Sequence, residues 1–142
     1  MDLRELSPGA VLWLPVAAPG ALLSIGDLHA AMGHGEPAFV ALEAAGTATV
    51  RVDLERDTDL TLPRIRSGNE TACIGMGVSY PEARASAVRQ AFELLTATHG
   101  LTASEAHAYV CAAVELRPAG PSGSIGDDLE AAVAAVPDPD IG

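Results

Sequence analysis

At 142 residues the chain is long enough for one domain with a hydrophobic core and too short to expect two. Nineteen acidic residues against eight basic ones give a formal net charge of −11, which repels phosphate backbones and argues against a nucleic-acid partner. Every basic residue is arginine, and the lack of lysine excludes Schiff-base chemistry, covalent pyridoxal phosphate, a Walker-type phosphate loop and lysine-assisted serine or cysteine mechanisms.

In chain order, Leu6 to Gly26 is uncharged for twenty-one residues, nominally enough to cross a bilayer. Pro8, Pro15 and Pro19 would break a spanning helix, and Asp2 and Glu5 against Arg4 carry the wrong charge for a secretory leader. With Cys73 and Cys111 in neither a CxxC spacing nor a disulfide-dense pattern, the reading is a soluble cytoplasmic protein with no membrane segment. Its apolar start is read as buried strand, with Trp13 anchoring the core and both cysteines as small buried hydrophobes.

Val11–Val16 and Ala21–Gly26 are short apolar runs across an Ala-Ala-Pro-Gly turn signal and are expected to pair. Pro37–Glu43 and Thr47–Leu54 read as a hairpin around Ala44-Ala45-Gly46, the second strand alternating threonine, valine and charge. Leu60–Ile65 suits an edge strand, and Thr71–Val78 a buried one weakened by two glycines. After Ser79 the period changes to about 3.6. Ala87, Val88, Ala91, Leu94, Leu95 and Thr98 share one helical face that Gly100 can end, and Ser79 with Glu82 has capping-box spacing. Thr102-Ala-Ser-Glu105 repeats that signature and opens a second helix to about Val114, with Tyr109 and Val110 facing inward. The expected fold is α+β, a β-rich sandwich or barrel-like sheet from the amino-terminal half carrying a packed helical hairpin. Residues 1–117 form that domain; Pro118–Gly126 reads as a flexible linker, Asp127–Val136 as a short acidic alanine-rich helix, and the rest as a fraying tail.

The chemistry is concentrated in Gly26-Asp-Leu-His-Ala-Ala-Met-Gly-His-Gly-Glu36. Asp27 and His29 have the spacing that puts both on one face of a strand, His34 and Glu36 repeat it, and Gly33 permits a reversal that brings the pairs together. Carboxylate and imidazole are donors a divalent, zinc-like ion takes. The plainer explanation of the same residues is a set of solvated turn side chains beside glycines. Arg64 and Arg66 are solvated strand charges or a grip on a substrate carboxylate, and His99 and His107 read as surface helix residues.

These segments, together with Met1-Asp-Leu-Arg-Glu-Leu6, Leu12-Trp-Leu-Pro-Val16, Ala41-Leu-Glu43, Leu62-Pro-Arg64, Thr98-His-Gly-Leu101 and Ser104-Glu-Ala-His-Ala-Tyr109, resemble the acetamidase/formamidase family from Met1 to about Arg117. The resemblance implies a metal-dependent hydrolase of small amides on a β-rich fold with a helical layer. Asp27, His29 and Glu36 are then metal positions, with zinc the expected ion, and Glu43 a general base or supporting carboxylate. Where the family shows Gly-Asp-Gly-Glu, this chain has Gly33-His34-Gly35-Glu36, so His34 is a changed group that can act as an acid or base. The chain also begins where the family's carboxy-terminal half begins, which leaves a family-type site incomplete in one copy.

Three functions follow as expectations. The first is a metal-dependent hydrolase of a small amide or related C–N bond, completed in a homo-oligomer, most simply a dimer. The second is a repurposed biosynthetic cyclase, lyase or isomerase using the same cup through His34. The third is a non-catalytic half-subunit or small-ligand binder.

Overall fold

The computed structural model describes residues 2–56, 58–120 and 129–139. Its main sheet is antiparallel and five-stranded: β1 (Val11–Trp13), β4 (Arg64–Ser67), β5 (Glu70–Gly77), β7 (Glu130–Pro137) and β6 (Glu115–Pro118), in that spatial order. A separate two-stranded ribbon pairs β2 (His29–Ala31) with β3 (Leu42–Glu43). Helix α1 (Tyr80–Glu93) runs through a π-helical turn at Leu94–Thr98 and is followed by α2 (Ala103–Ala113). The α+β class and the helical hairpin are as the sequence pattern predicts. No described helix is long and apolar enough to cross a membrane.

The core is split by the sheet. Side chains alternate along β5 and β7, so Cys73, Ala132, Ala134 and Val136 face the helices, while Ala72, Ile74, Val133 and Ala135 face the opposite side with Leu3, Ile65 and Ala119. On the helical side the seam is nearly all alanine: Ala83, Ala87 and Ala91 recur every four residues before Leu94 and Leu95. Small residues let backbones approach, and the two β5 glycines take this to its limit. A Cβ at Gly75 would lie 2.1 Å from the Ala87 nitrogen and 2.2 Å from the Ala83 oxygen. The glycines are the seat of α1, not a weakness in the strand.

Capping is as expected for α2 and half so for α1. Thr102 and Glu105 form the reciprocal box, with the Glu105 N–H donating to Thr102 Oγ1 at 3.3 Å and the Thr102 N–H to Glu105 Oε2 at 2.8 Å. At α1, Ser79 gives no side-chain cap, and Glu82 accepts from the Val78 N–H at 3.2 Å.

Several expectations are corrected. Residues 130–136, expected within an acidic helix, form β7, which pairs with both β5 and β6; beyond Arg117, Pro118 and residues 130–137 are therefore part of the sheet. Alanine's helical preference is overridden because only small side chains fit between two sheet neighbours and α1. The expected linker and helix start over residues 121–128 lie outside the described residues, as do residues 140–142 of the tail. Val11–Trp13 pairs with Arg64–Ser67 rather than with Ala21–Gly26, which forms no strand. The hairpin expected from Pro37–Glu43 and Thr47–Leu54 is replaced by β2–β3, leaving Thr47–Leu54 without sheet pairing among the described residues. The apolar start is not buried: Leu14, Val16, Leu22, Leu23 and Ile25 are exposed. Trp13 is half-buried and donates to Glu55 at 3.0 Å, and Cys111 is exposed whereas Cys73 is buried.

Candidate functional site

His29 opens β2, Glu43 closes β3, and the two stand directly opposite in the ribbon, so their side chains meet across the strands. Asp27 lies two residues before His29 on a left-handed backbone (φ 61°), which turns the chain into β2. His29 Nε2 is 3.1 Å from Asp27 Oδ1 and 3.4 Å from Glu43 Oε2. One donor atom from each of Asp27, His29 and Glu43 falls within 4.8 Å of the others. Glu36 approaches the other ring nitrogen, with Oε1 3.5 Å from Nδ1. Its residue is only 5% exposed, and that oxygen has no hydrogen-bond partner among the described residues. Asp27 and Glu43, by contrast, have side chains 59% and 57% exposed. The group is therefore open on the carboxylate side and closed behind the imidazole.

Burial is the largest single influence on the His29 pKa and disfavours the imidazolium. The Asp27 hydrogen bond and the negative charges of Glu43, Asp27 and Glu36 together outweigh it, and raise the pKa above the ordinary histidine value. A cation is thus electrostatically welcome at this point, whether it is a proton or a metal.

His34 is not brought to the group. Gly35, at φ 68°, makes the Gly33–Glu36 segment a turn, so His34 and Glu36 diverge although they are two residues apart. His34 Nδ1 lies 3.5 Å from Glu5 Oε1. Glu5 is buried and is also met by Arg117 at 3.5 Å, and Arg117 holds Glu70 through two hydrogen bonds of 2.7 and 2.8 Å. A Cβ at Gly35 would come 2.7 Å from the Pro118 Cβ, so the same turn is pressed against β6. Sequence reasoning missed Glu5 and Arg117, since no local pattern joins positions so far apart. Arg66 pairs with Asp138, and His107 lies 3.8 Å from Cys111, so neither belongs to the group.

Residues 1–121 match the sequence profile of the Acetamidase/Formamidase family. The chain belongs to this family. A putative formamidase of Schizosaccharomyces pombe is 51% identical over 51 residues, covering 35% of this chain and 12% of that protein. The fold is similar to the acetamidase of Bacillus halodurans, with a TM-score of 0.83 at 29% identity over 96% of this chain and 45% of that one. The acetamidase of Yersinia enterocolitica gives a TM-score of 0.86 at 30% identity, covering 96% and 40% respectively. A predicted acetamidase/formamidase of Thermoanaerobacter tengcongensis gives 0.82 at 28%, covering 94% and 43%. The chain thus spans less than half the length of these acetamidase/formamidase relatives, and nearly all of it superposes on the three solved structures.

Proposed function

We propose that this chain provides the metal-binding part of a hydrolase acting on a small amide, such as the formamide or acetamide for which its relatives are named. The observation that carries the reading is the convergence of Asp27, His29 and Glu43 in a member of this family. One imidazole nitrogen and two carboxylate oxygens suit a divalent ion of the zinc type, and the crowding of negative charge around one ring favours a cation there. The partnerless buried oxygen of Glu36 fits as well: it can accept from Nδ1–H and so fix the tautomer that turns Nε2 toward the other two donors. When bound, such an ion polarises the amide carbonyl and acidifies water.

The protein's own residues supply the remainder. Glu36 orients His29, and Asp27 and Glu43 hold their carboxylates on the open face where a small amide can enter. Glu43 contacts His29 through Oε2, which leaves Oε1 to take a proton from the attacking water and return it to the leaving amine. His34, turned to Glu5, has no part in this step, and the cyclase, lyase or isomerase reading that rested on it gains no support from the geometry. The open face is covered by a further copy of the chain in the working assembly. Free cysteines, one of them buried, support a cytoplasmic setting.

The test is zinc binding by calorimetry together with ammonia release from formamide and acetamide. About one equivalent of zinc per chain is expected, with binding abolished by Asp27→Ala or His29→Ala. Less than roughly a tenth of an equivalent in the wild-type protein, at zinc concentrations that saturate ordinary structural sites, overturns the reading. If short amides are hydrolysed and His34→Ala slows that rate severalfold, the exclusion of His34 is wrong.

A further inference from the structure

Thr47-Ala-Thr-Val-Arg-Val-Asp-Leu54 has the composition and period of a strand, yet no backbone hydrogen bond joins it to another described residue, and it is exposed throughout. Val50, Val52 and Leu54 are 55%, 69% and 63% exposed. Arg51 Nε lies 3.2 Å from Asp53 Oδ2, so alternate side chains share a face as they do in an extended chain. The segment is anchored at its end, where Glu55 accepts from Trp13. An anchored, alternating and unpaired segment of this kind is a template for strand addition.

The charge pattern names the occupant. In an antiparallel pair centred on Val52, the same segment of a second copy sets Arg51 opposite Asp53 and Val50 opposite Leu54, with Val52 facing itself. Thr49 then stands opposite Glu55. Over residues 50–54 one face of the pair is apolar and the other carries two reciprocal ion pairs, the self-complementarity that a two-fold interface requires.

We propose that residues 50–54 pair antiparallel, about a two-fold axis at Val52, with the same residues of a second copy of this chain. Ile25–Leu28 and Ala44–Ala48 line one shallow concavity, so a copy seated on this segment lies at the rim beside Asp27. The interface thereby specifies the cover invoked for the proposed amide site. Its own test needs neither metal nor substrate, so the dimer and the amidase reading fail separately.

The test is sedimentation velocity of the full chain at micromolar concentrations, read together with cross-linking. The wild type is expected at twice its 14.5 kDa chain mass. Val52→Asp should weaken the dimer at least tenfold, as should Arg51→Asp or Asp53→Arg alone, whereas the double exchange of Arg51→Asp with Asp53→Arg restores pairing. In a Cys111→Ser background, Val52→Cys should form a disulfide dimer on mild oxidation, because directly opposed Cα atoms lie roughly 4.5–5.5 Å apart, within disulfide reach. Val50→Cys in the same background should not, since its two copies would be about 13 Å apart. A wild-type monomer, a charge exchange that fails to restore association, or a Val50→Cys disulfide forming as readily as Val52→Cys overturns the proposal. So does a chain that stays monomeric alone and associates only with a different polypeptide.

Discussion

At the scale of single residues, His29 organises the site because both ring nitrogens face carboxylates. Asp27 and His29 were legible as a pair from their spacing, but the strand expected to align them is absent, and Asp27 meets His29 through a left-handed backbone that turns the chain into β2. Glu43 was legible only as a carboxylate of the family pattern; its meeting with His29 depends on the β2–β3 register, which local sequence does not specify. His34 and Glu36 carried the same spacing signal, and Gly35 undoes it by turning the backbone between them. If Glu36 fixes the His29 tautomer, Glu36→Gln keeps the shape and removes the charge. Zinc affinity should then fall on the order of 10–100-fold with the circular dichroism spectrum unchanged. An affinity within twofold of wild type takes Glu36 out of the site.

At the scale of elements, the helices and β5 were readable because each is long, strongly periodic and satisfied within the described chain. β7 was not: alanine-rich sequence favours a helix locally, and the demand for small side chains comes from α1 and β5, which are distant in sequence. Gly75 is where this demand is sharpest. Gly75→Ala puts a methyl group into the α1 backbone and should destabilise by on the order of 3 kcal/mol or more, seen as a lower urea midpoint. Gly68→Ala, with open space but φ 61°, should cost only about 1 kcal/mol. Equal losses at the two sites would mean that backbone conformation, not the α1 seat, sets the cost.

The α2 cap adds a pH dependence. Hydrogen bonds from the Thr102 hydroxyl and then its N–H hold the Glu105 carboxyl below the usual glutamate range. A carboxyl depressed by folding contributes stability that is complete above its unfolded pKa and lost as pH falls through the folded value. Acid titration should therefore weaken the wild type from just above pH 4.5 downward, and Glu105→Gln should flatten that part of the profile. An unchanged profile in the variant assigns the acid loss to other carboxylates.

At the scale of the whole molecule, the misread segments share one cause. The sequence pattern reads Ala21–Gly26 as buried strand and Thr47–Leu54 as a half-exposed strand of a hairpin, but the large apolar side chains of both lie on the surface of this chain. Sequence pattern reports that a segment seeks apolar contact; it does not say that the partner is in the same copy. With a helix–sheet seam built largely of alanine, the core of one copy gains little from each buried side chain, so the proposed pairing at Val52 would contribute a larger share of stability. Mass action then makes the melting temperature depend on protein concentration. A hundredfold increase corresponds to roughly 2.7 kcal/mol per dimer, which for a chain of this size should raise the melting temperature by about 3–6 °C. Val52→Asp should melt lower and show almost no such dependence. A wild-type melting temperature constant across that hundredfold range would mean that the exposed segment around Val52 contributes nothing to the stability of the folded chain.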